Sequence, residues 1–130
     1  MQIVKQLSIL MENHPGVLSE LTNVLAGGNI NVVALTMSDS VDQGILRMVT
    51  DDPEKANQIL SGTYDVRETD VLRVEMPNNP GSLASFSSKL GSAKINMEYI
   101  YASTGQDGKH TTVIIKVPDP KKAMEVLSRE

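Results

Sequence analysis

The sequence contains no cysteine and no tryptophan, and aromatic residues make up only 3% of it. Without cysteine the chain can form no disulfide, no thiolate nucleophile and no cysteine-ligated metal site. No apolar run reaches the ~20 residues that span a bilayer, because charges such as Lys5, Glu12 and Arg47 interrupt each candidate. The opening residues also lack the long apolar core of a signal peptide. These absences predict a cytoplasmic protein without a membrane-spanning segment.

Positive charge is also scarce. The chain carries 12 lysines and arginines against 16 aspartates and glutamates, a formal net charge of −4. The lysines are scattered among acidic residues, so they form no basic stripe that could neutralise a phosphate backbone. The sequence therefore predicts no nucleic-acid partner.

What the sequence does contain is an internal repeat. Asn-x-Pro-Gly occurs at residues 13–16 and again at 78–81, and apolar residues at helical spacing follow each copy. Identical residues align along this stretch, namely Asn13/Asn78, Pro15/Pro80, Gly16/Gly81, Leu18/Leu83, Leu25/Leu90, Ile30/Ile95 and Asn31/Asn96. A solenoid usually needs about three repeats or more. Two copies instead predict tandem small domains over residues 1–69 and 70–130.

Both repeats have the same predicted order of elements. Alternating Leu7, Ile9 and Met11 predict a first strand with one buried face. Pro15-Gly16 suits the start of a helix, and Gly27-Gly28 suits its end. A hairpin, a short second helix and a last strand follow. This β-α-β-β-α-β order predicts an α+β fold of two tandem ferredoxin-like modules, each an antiparallel sheet with helices on one face.

The second repeat stops before any residues equivalent to a fourth strand. In the first repeat, "TYDVRE" supplies this strand, and "TDVLRVEM" begins the second repeat almost at once. The two strands are therefore predicted to run nearly continuously through Thr69-Asp70. Two explanations of the missing strand stay open: the chain is shortened, or the second sheet has an open edge that another segment covers.

The Asn-x-Pro-Gly loop stands before a helix start, where backbone N–H groups have no helical acceptor. The N–H groups of Gly16, Val17 and Leu18 are predicted to bind a carboxylate, which the helix dipole also favours. The amides of Asn13 and Asn31 can accept from an ammonium group without adding charge. The equivalent residues of the second repeat are Asn78, Gly81, Ser82, Leu83 and Asn96. This pattern favours an α-amino acid as the ligand.

A purely structural interpretation of the loop stays open. Asparagine is a common helix cap, and proline and glycine are common turn residues. Asn31 can equally close a turn. Duplication of a needed cap would reproduce the asparagines in the second repeat without any ligand.

No set of residues matches a catalytic or metal site. His14 lies in the first loop, but Asn79 replaces it in the second. Two interpretations of His14 therefore stay open: it faces solvent, or it contacts a ligand. Asp39 and Asp42 share a hairpin without the further ligands that calcium or zinc requires. No phosphate-binding glycine loop, triad or kinase signature is present. The sequence predicts a protein that is not an enzyme and has no cofactor and no metal.

The stretch "LSILMENHPGVLSELTNVLAGGNINVVALTMSDS", followed by "GILRMVTDD", resembles the ACT domain, a small regulatory module of amino-acid metabolism. It is similar to the modules of the acetolactate synthase small subunit and of phosphoglycerate dehydrogenase. The second repeat resembles them through "NNPGSLASF" and "KINMEYI". The resemblance implies a ferredoxin-like fold and an amino acid bound where two modules meet, with contacts from Asn13, the Gly16 to Leu18 backbone and Asn31.

Met11 and Met76 stand where serine-binding members of the family often place a histidine, so an apolar effector fits better than serine. The resemblance also implies a homodimer and an enzyme of amino-acid metabolism as the partner. Two hypotheses follow. The protein is an amino-acid sensor, or it is an interaction subunit with degenerate pockets that acts through protein contacts.

Overall fold

The computed structural model describes residues 1–41 and 43–129, so the predicted turn residue Asp42 lies outside the described residues. The elements are β1 (Gln2–Met11), α1 (Val17–Gly27), β2 (Val32–Asp39), β3 (Gly44–Thr50), α2 (Pro53–Leu60), β4 (Asp65–Pro77), α3 (Ser82–Ser92), β5 (Tyr99–Thr104), β6 (His110–Lys116) and α4 (Pro120–Leu127). None of the described helices is both long and apolar enough to cross a membrane.

The chain forms two compact units, with the strand order β2-β3-β1-β4 in the first and β1-β4-β6-β5 in the second. The first unit comprises residues 5–69, and the second unit comprises residues 1–4 and 70–129. Each unit has the ferredoxin-like strand order, with its own first and third strands in the centre. The predicted α+β fold of two antiparallel modules is confirmed.

The N-terminal end of β1 occupies the fourth-strand position of the second unit. β4 is the first strand of the second repeat, and it lies between β6 and β1. Residues 1–4 group with the second unit, where Ile3 packs against the core. Residues 1–4 therefore belong to the second unit, although the repeat places them in the first domain, residues 1–69. An unpaired sheet edge accepts any strand that satisfies its N–H and C=O groups, wherever that strand lies in the sequence.

Replacing Ile3 by aspartate is expected to destabilise the second unit selectively. The change sets a charge against an apolar core, and an unpaired polar group there costs about 1–3 kcal/mol. In native-state hydrogen exchange, amides of β4 and β6 should lose protection while those of β2 and β3 keep theirs. Ile3→Val, which keeps the branched shape, serves as the control. Equal loss of protection in the two units would contradict this assignment.

Each unit has its own core on the sheet face that carries the helices. In the first unit, the register Leu7↔Met48 and Ile9↔Leu46 sets apolar residues of β1 and β3 side by side. Helix α1 adds Leu21 to this core. The second core contains Leu72, Val74, Met76, Phe86, Leu90, Val113, Ile115, Val117 and Ala123.

The two short helices start in the same way. The side chain of Asp52 accepts from the Lys55 N–H at 3.1 Å. The side chain of Asp119 accepts from the Lys122 N–H at 3.2 Å. A proline follows each aspartate, where its missing N–H leaves nothing unpaired. Asp52 and Asp119 therefore cap α2 and α4.

Candidate functional site

Both Asn-x-Pro-Gly loops enter their helix through a glycine in the left-handed conformation. Gly16 has φ 90° and ψ −8°, and Gly81 has φ 90° and ψ −12°. Glycine adopts this conformation without the steric penalty that a Cβ brings. Neither helix start has a side-chain cap. The interpretation in which Asn13 and Asn78 serve as helix caps is therefore wrong.

The first helical N–H of each loop is used inside the loop. The N–H of Val17 and the N–H of Ser82 donate to the carbonyl three residues earlier, at 3.2 and 3.1 Å. The helical ladder begins with the N–H groups of Glu20 and Ser85. The two N–H groups in between have no helical acceptor. The open helical donors of the first loop are thus those of Leu18 and Ser19, whereas the sequence predicted donors from Gly16 to Leu18.

The second loop is fixed to the β5–β6 hairpin through Asn78. Its backbone N–H donates to the Lys109 carbonyl at 2.8 Å, and its Nδ2 donates to the Gly108 carbonyl at 2.9 Å. Gly108 has φ 66°, a conformation that glycine adopts readily in a tight turn. Because Nδ2 faces the hairpin, Oδ1 of Asn78 is the amide atom that can accept from a ligand.

A cleft of about 380 Å³ lies beside this loop in the second unit. It is lined by Met76, Pro77, Asn78, Asn79, Ser82, Leu83, Ile100, Tyr101, Ala102, Thr104, Thr111 and Val113. Within the part of the chain that the structure describes, the lining contains no aspartate, glutamate, lysine, arginine or histidine. Small-molecule sites in proteins have volumes of roughly 300–1,000 Å³ and are mostly apolar with a few polar groups. The cleft meets both conditions.

The first loop differs from the second in the burial of its first two helical residues, whereas the residues before them are exposed in both loops. Asn13 and His14 are exposed, and His14 Nδ1 lies 3.1 Å from the Pro15 carbonyl oxygen. Val17 is 4% exposed and belongs to the first core, against which Leu18 also packs. The side chains of Val17 and Leu18 thus pack into the core, while the ligand contacts from their backbone N–H groups stay a prediction.

The structure does not bring Asn31 to the loop that contains Asn13. Asn31 forms two hydrogen bonds with Asp51 at the end of β3. The Asp51 N–H donates to the Asn31 carbonyl oxygen, and the Asn31 N–H donates to Asp51 Oδ1, both at 3.0 Å. Asn13 lies beside Gly44, the first residue of β3. A Cβ added to Gly44 would lie 3.2 Å from the Cβ of Asn13. The strand between them is about 20 Å long.

Asn96 is likewise remote from Asn78. Asn96 follows the end of α3 and lines a separate small cavity with Lys94, Ile95, Pro118, Asp119 and Lys122. Helix α3 separates the two asparagines by about 16 Å. The prediction that each asparagine pair stands beside one loop is wrong, because the first helix runs the length of its sheet before the second strand begins.

Sequence reasoning missed the part of the cleft that β5 and β6 supply. Ile100, Ala102 and Thr104 alternate along β5 and line the cleft, and Thr111 faces Thr104 across the strands. Their period-2 spacing is the signal that could have found them. Tyr101 lines the cleft as well.

Two carboxyls of the second unit have lowered pKa values. Burial raises the pKa of Glu75, but hydrogen bonds from Thr112 and Arg73 outweigh it and bring the pKa below its ordinary value. A hydrogen bond from the Lys109 N–H lowers the pKa of Asp107, with help from His110. Stability from a lowered pKa is complete above the unfolded value and is lost as the pH falls through the folded value.

The second unit is therefore expected to lose stability as the pH falls below about 4.5. Thermal unfolding should be followed from pH 7 to pH 2.5 for the wild type and for the double variant Glu75→Gln and Asp107→Asn. The double variant should start from a lower Tm and change less with pH. A parallel decline of the two proteins would contradict the role of these carboxyls.

Among residues 1–41 and 43–129, no three histidines, aspartates or glutamates are placed to hold a metal ion. The polar groups of the cleft are amides, hydroxyls and backbone N–H groups. Such a site can bind a small polar molecule by hydrogen bonds and apolar contact.

Comparison with known proteins supports this description. The family model for the ACT domain pair matches residues 1–130. No curated protein matches the sequence. Protein BT0572 from Bacteroides thetaiotaomicron is 39% identical, with a TM-score of 0.89 over 96% of this chain and 86% of that chain.

More distant structures share the fold. The regulatory subunit of aspartate kinase from Thermus thermophilus is 16% identical, with a TM-score of 0.72 over 97% of this chain and 93% of that chain. The corresponding subunit from Thermus flavus is 17% identical, with a TM-score of 0.65 over 98% of this chain and 95% of that chain. The resemblance to ACT domains seen in the sequence is confirmed, and the chain belongs to the family of ACT domain pairs.

Proposed function

We propose that this protein is a non-catalytic regulatory protein of the cytoplasm that binds a free amino acid and thereby changes its affinity for a partner enzyme. The observation that carries the proposal is the cleft beside the Asn78 loop, in a chain that belongs to the ACT domain pairs. The cleft has donors for a carboxylate and an acceptor for an ammonium group, and the described residues that line it include no histidine, aspartate, glutamate or lysine to act as a general base.

The carboxylate of the amino acid would lie at the start of α3. The N–H groups of Leu83 and Ala84 have no helical acceptor there, and a hydrogen bond to a charged group contributes about 1.5–3 kcal/mol. The helix dipole adds roughly 0.3–1 kcal/mol. The ammonium group would donate to Oδ1 of Asn78, whose orientation is held by the Gly108 carbonyl.

The partner that we propose is an enzyme of amino-acid metabolism, bound by a homodimer of this chain. The family supports this, because ACT domains are regulatory modules. The aspartate kinase regulatory subunits from the two Thermus species have the same fold as this chain. That likeness is one of fold alone.

The experiment that tests the proposal is a thermal-shift screen of the full chain against each of the twenty amino acids. A ligand at a hundred times its Kd adds about 2.7 kcal/mol of stability. We expect a shift with one chemical class of amino acid, lost in Asn78→Ala. Asn13→Ala, which alters the equivalent residue of the first loop, is the matched control and should keep the shift. No shift with any amino acid would contradict the proposal.

An interaction subunit with degenerate pockets is the second candidate. The packing of Val17 and Leu18 into the first core favours it, since their loop is then a structural element. The same screen distinguishes the two, because a degenerate cleft in the second unit would give no shift.

A further inference from the structure

We propose that the second unit alone carries the effector site, that the small residue Ala102 keeps this site open, and that the effector has an uncharged, apolar side chain. The inference rests on the proposed function and assigns that function to one of two unequal repeats.

Ala102 has a methionine as its counterpart in the first repeat. Ala102 lies opposite Val113 of β6, and Met37 lies at the matching place opposite Leu46 of β3. Met37 is half-buried and packs against the first core. Ala102 is exposed and lines the cleft. A methionine side chain fills irregular space beside a core, whereas alanine ends at Cβ.

The first turn of α3 is also less tightly packed than the first turn of α1. Val17 is 4% exposed and belongs to the first core, whereas its counterpart Ser82 is half-buried and lines the cleft. Leu18 packs against the first core, but its counterpart Leu83 is 53% exposed. The side chains at the helix start are therefore packed against the core in the first unit, whereas in the second unit they are more exposed.

The exposed apolar groups around the cleft indicate the class of ligand. Leu83 and Ile100 are 53% and 41% exposed, although both are large and apolar. An apolar side chain in the cleft would cover them and gain free energy in proportion to the apolar area removed from water. Thr104 and Thr111 have their hydroxyl oxygens 3.3 Å apart, so the two hydroxyls can satisfy each other.

A charged side chain is disfavoured in the same place. Burying a charge without an opposite partner is costly, and the described residues that line the cleft include no aspartate, glutamate, lysine, arginine or histidine. Leucine, methionine and phenylalanine therefore fit, whereas aspartate and lysine do not.

The test is isothermal titration calorimetry of the full chain with L-leucine, L-methionine and L-phenylalanine, with L-aspartate and L-lysine as charged probes. We expect at least one apolar probe to bind with one site per chain, and both charged probes to bind at least tenfold more weakly. Ala102→Met should weaken the best apolar probe at least tenfold, and Ala102→Val should weaken it less. Because Ala102 is exposed, neither variant should lose the fold, which circular dichroism checks.

Ser103→Met is the matched control. Ser103 is exposed and points to the opposite sheet face, so the same methionine stands one residue away from the cleft wall and binding should be unchanged. Binding that survives Ala102→Met, a second site per chain, or a charged probe that binds best would overturn this inference while leaving the proposed function intact. No binding of any of the twenty amino acids would instead overturn the proposed function.

Discussion

Truncating either Leu25 or Leu90 to alanine is expected to remove about 2–5 kcal/mol from the free energy of unfolding, each in a different unit. The side chains are 1% and 0% exposed and occupy equivalent positions on α1 and α3. Leu25 belongs to the first core and Leu90 to the second. Each truncation loses the transfer free energy of the removed atoms and leaves a cavity in one core.

Native-state hydrogen exchange locates these losses. Leu25→Ala should expose amides of β3 before those of β6, and Leu90→Ala should do the reverse. Val24→Ala is the matched control, since Val24 is on the same helix as Leu25 but 42% exposed, and it should change stability by about 0.5 kcal/mol or less. Equal loss of protection in both units from either leucine variant would contradict the assignment of two separate cores.

Gly81→Ala is expected to weaken amino-acid binding at least tenfold and to lower stability by about 1–2 kcal/mol, the penalty for a Cβ in the left-handed conformation. A Cβ at Gly81 would meet no heavy atom within 4 Å, so the strain is conformational rather than a clash. Relief of that strain would turn the first N–H groups of α3 away from the cleft. Calorimetry with the best amino acid from the screen measures the first effect, and chemical denaturation measures the second.

Gly16→Ala provides the internal control for this prediction. Gly16 has the same φ of 90° and also meets nothing within 4 Å at an added Cβ. Its stability loss should therefore match that of Gly81→Ala, while binding should remain unchanged. Equal loss of binding in the two variants would mean that both loops hold ligand.

Much of the fold could be predicted from the repeat. Proline and glycine before α1, and the two glycines at its end, predict its limits to within about two residues, because they act through local backbone geometry. The absence of glycine and proline between Gly62 and Pro77 predicts an unbroken strand across the repeat junction. The structure has this strand as β4, Asp65–Pro77.

Pairing between distant segments could not be predicted in the same way. Residues 1–4 complete the second unit. Their sequence suits any edge strand, so it does not indicate which strand they pair with. The sequence therefore left the choice between a shortened chain and a covered edge open.

The candidate site was only partly predictable for a related reason. The loop at Asn78 was found through its motif, whereas the wall formed by Ile100, Ala102 and Thr104 depends on the register of β5 against β6. The predicted positions of Asn31 and Asn96 are wrong because both residues follow the end of a helix, whereas the loop lies at the start of that helix. The difference between Met37 and Ala102 becomes informative only when both are placed on their sheets.

The central claim is that the cleft of the second unit binds an amino acid with an apolar side chain. The most direct measurement is a two-dimensional amide NMR titration of the full chain with L-leucine, L-methionine and L-phenylalanine. At least one of the three should shift the amides of Leu83, Ala84, Ala102 and Thr104 saturably, while those of Leu18, Ser19 and Met37 stay in place. Shifts confined to the first loop, or no shift at saturating concentrations of all three, would contradict the claim.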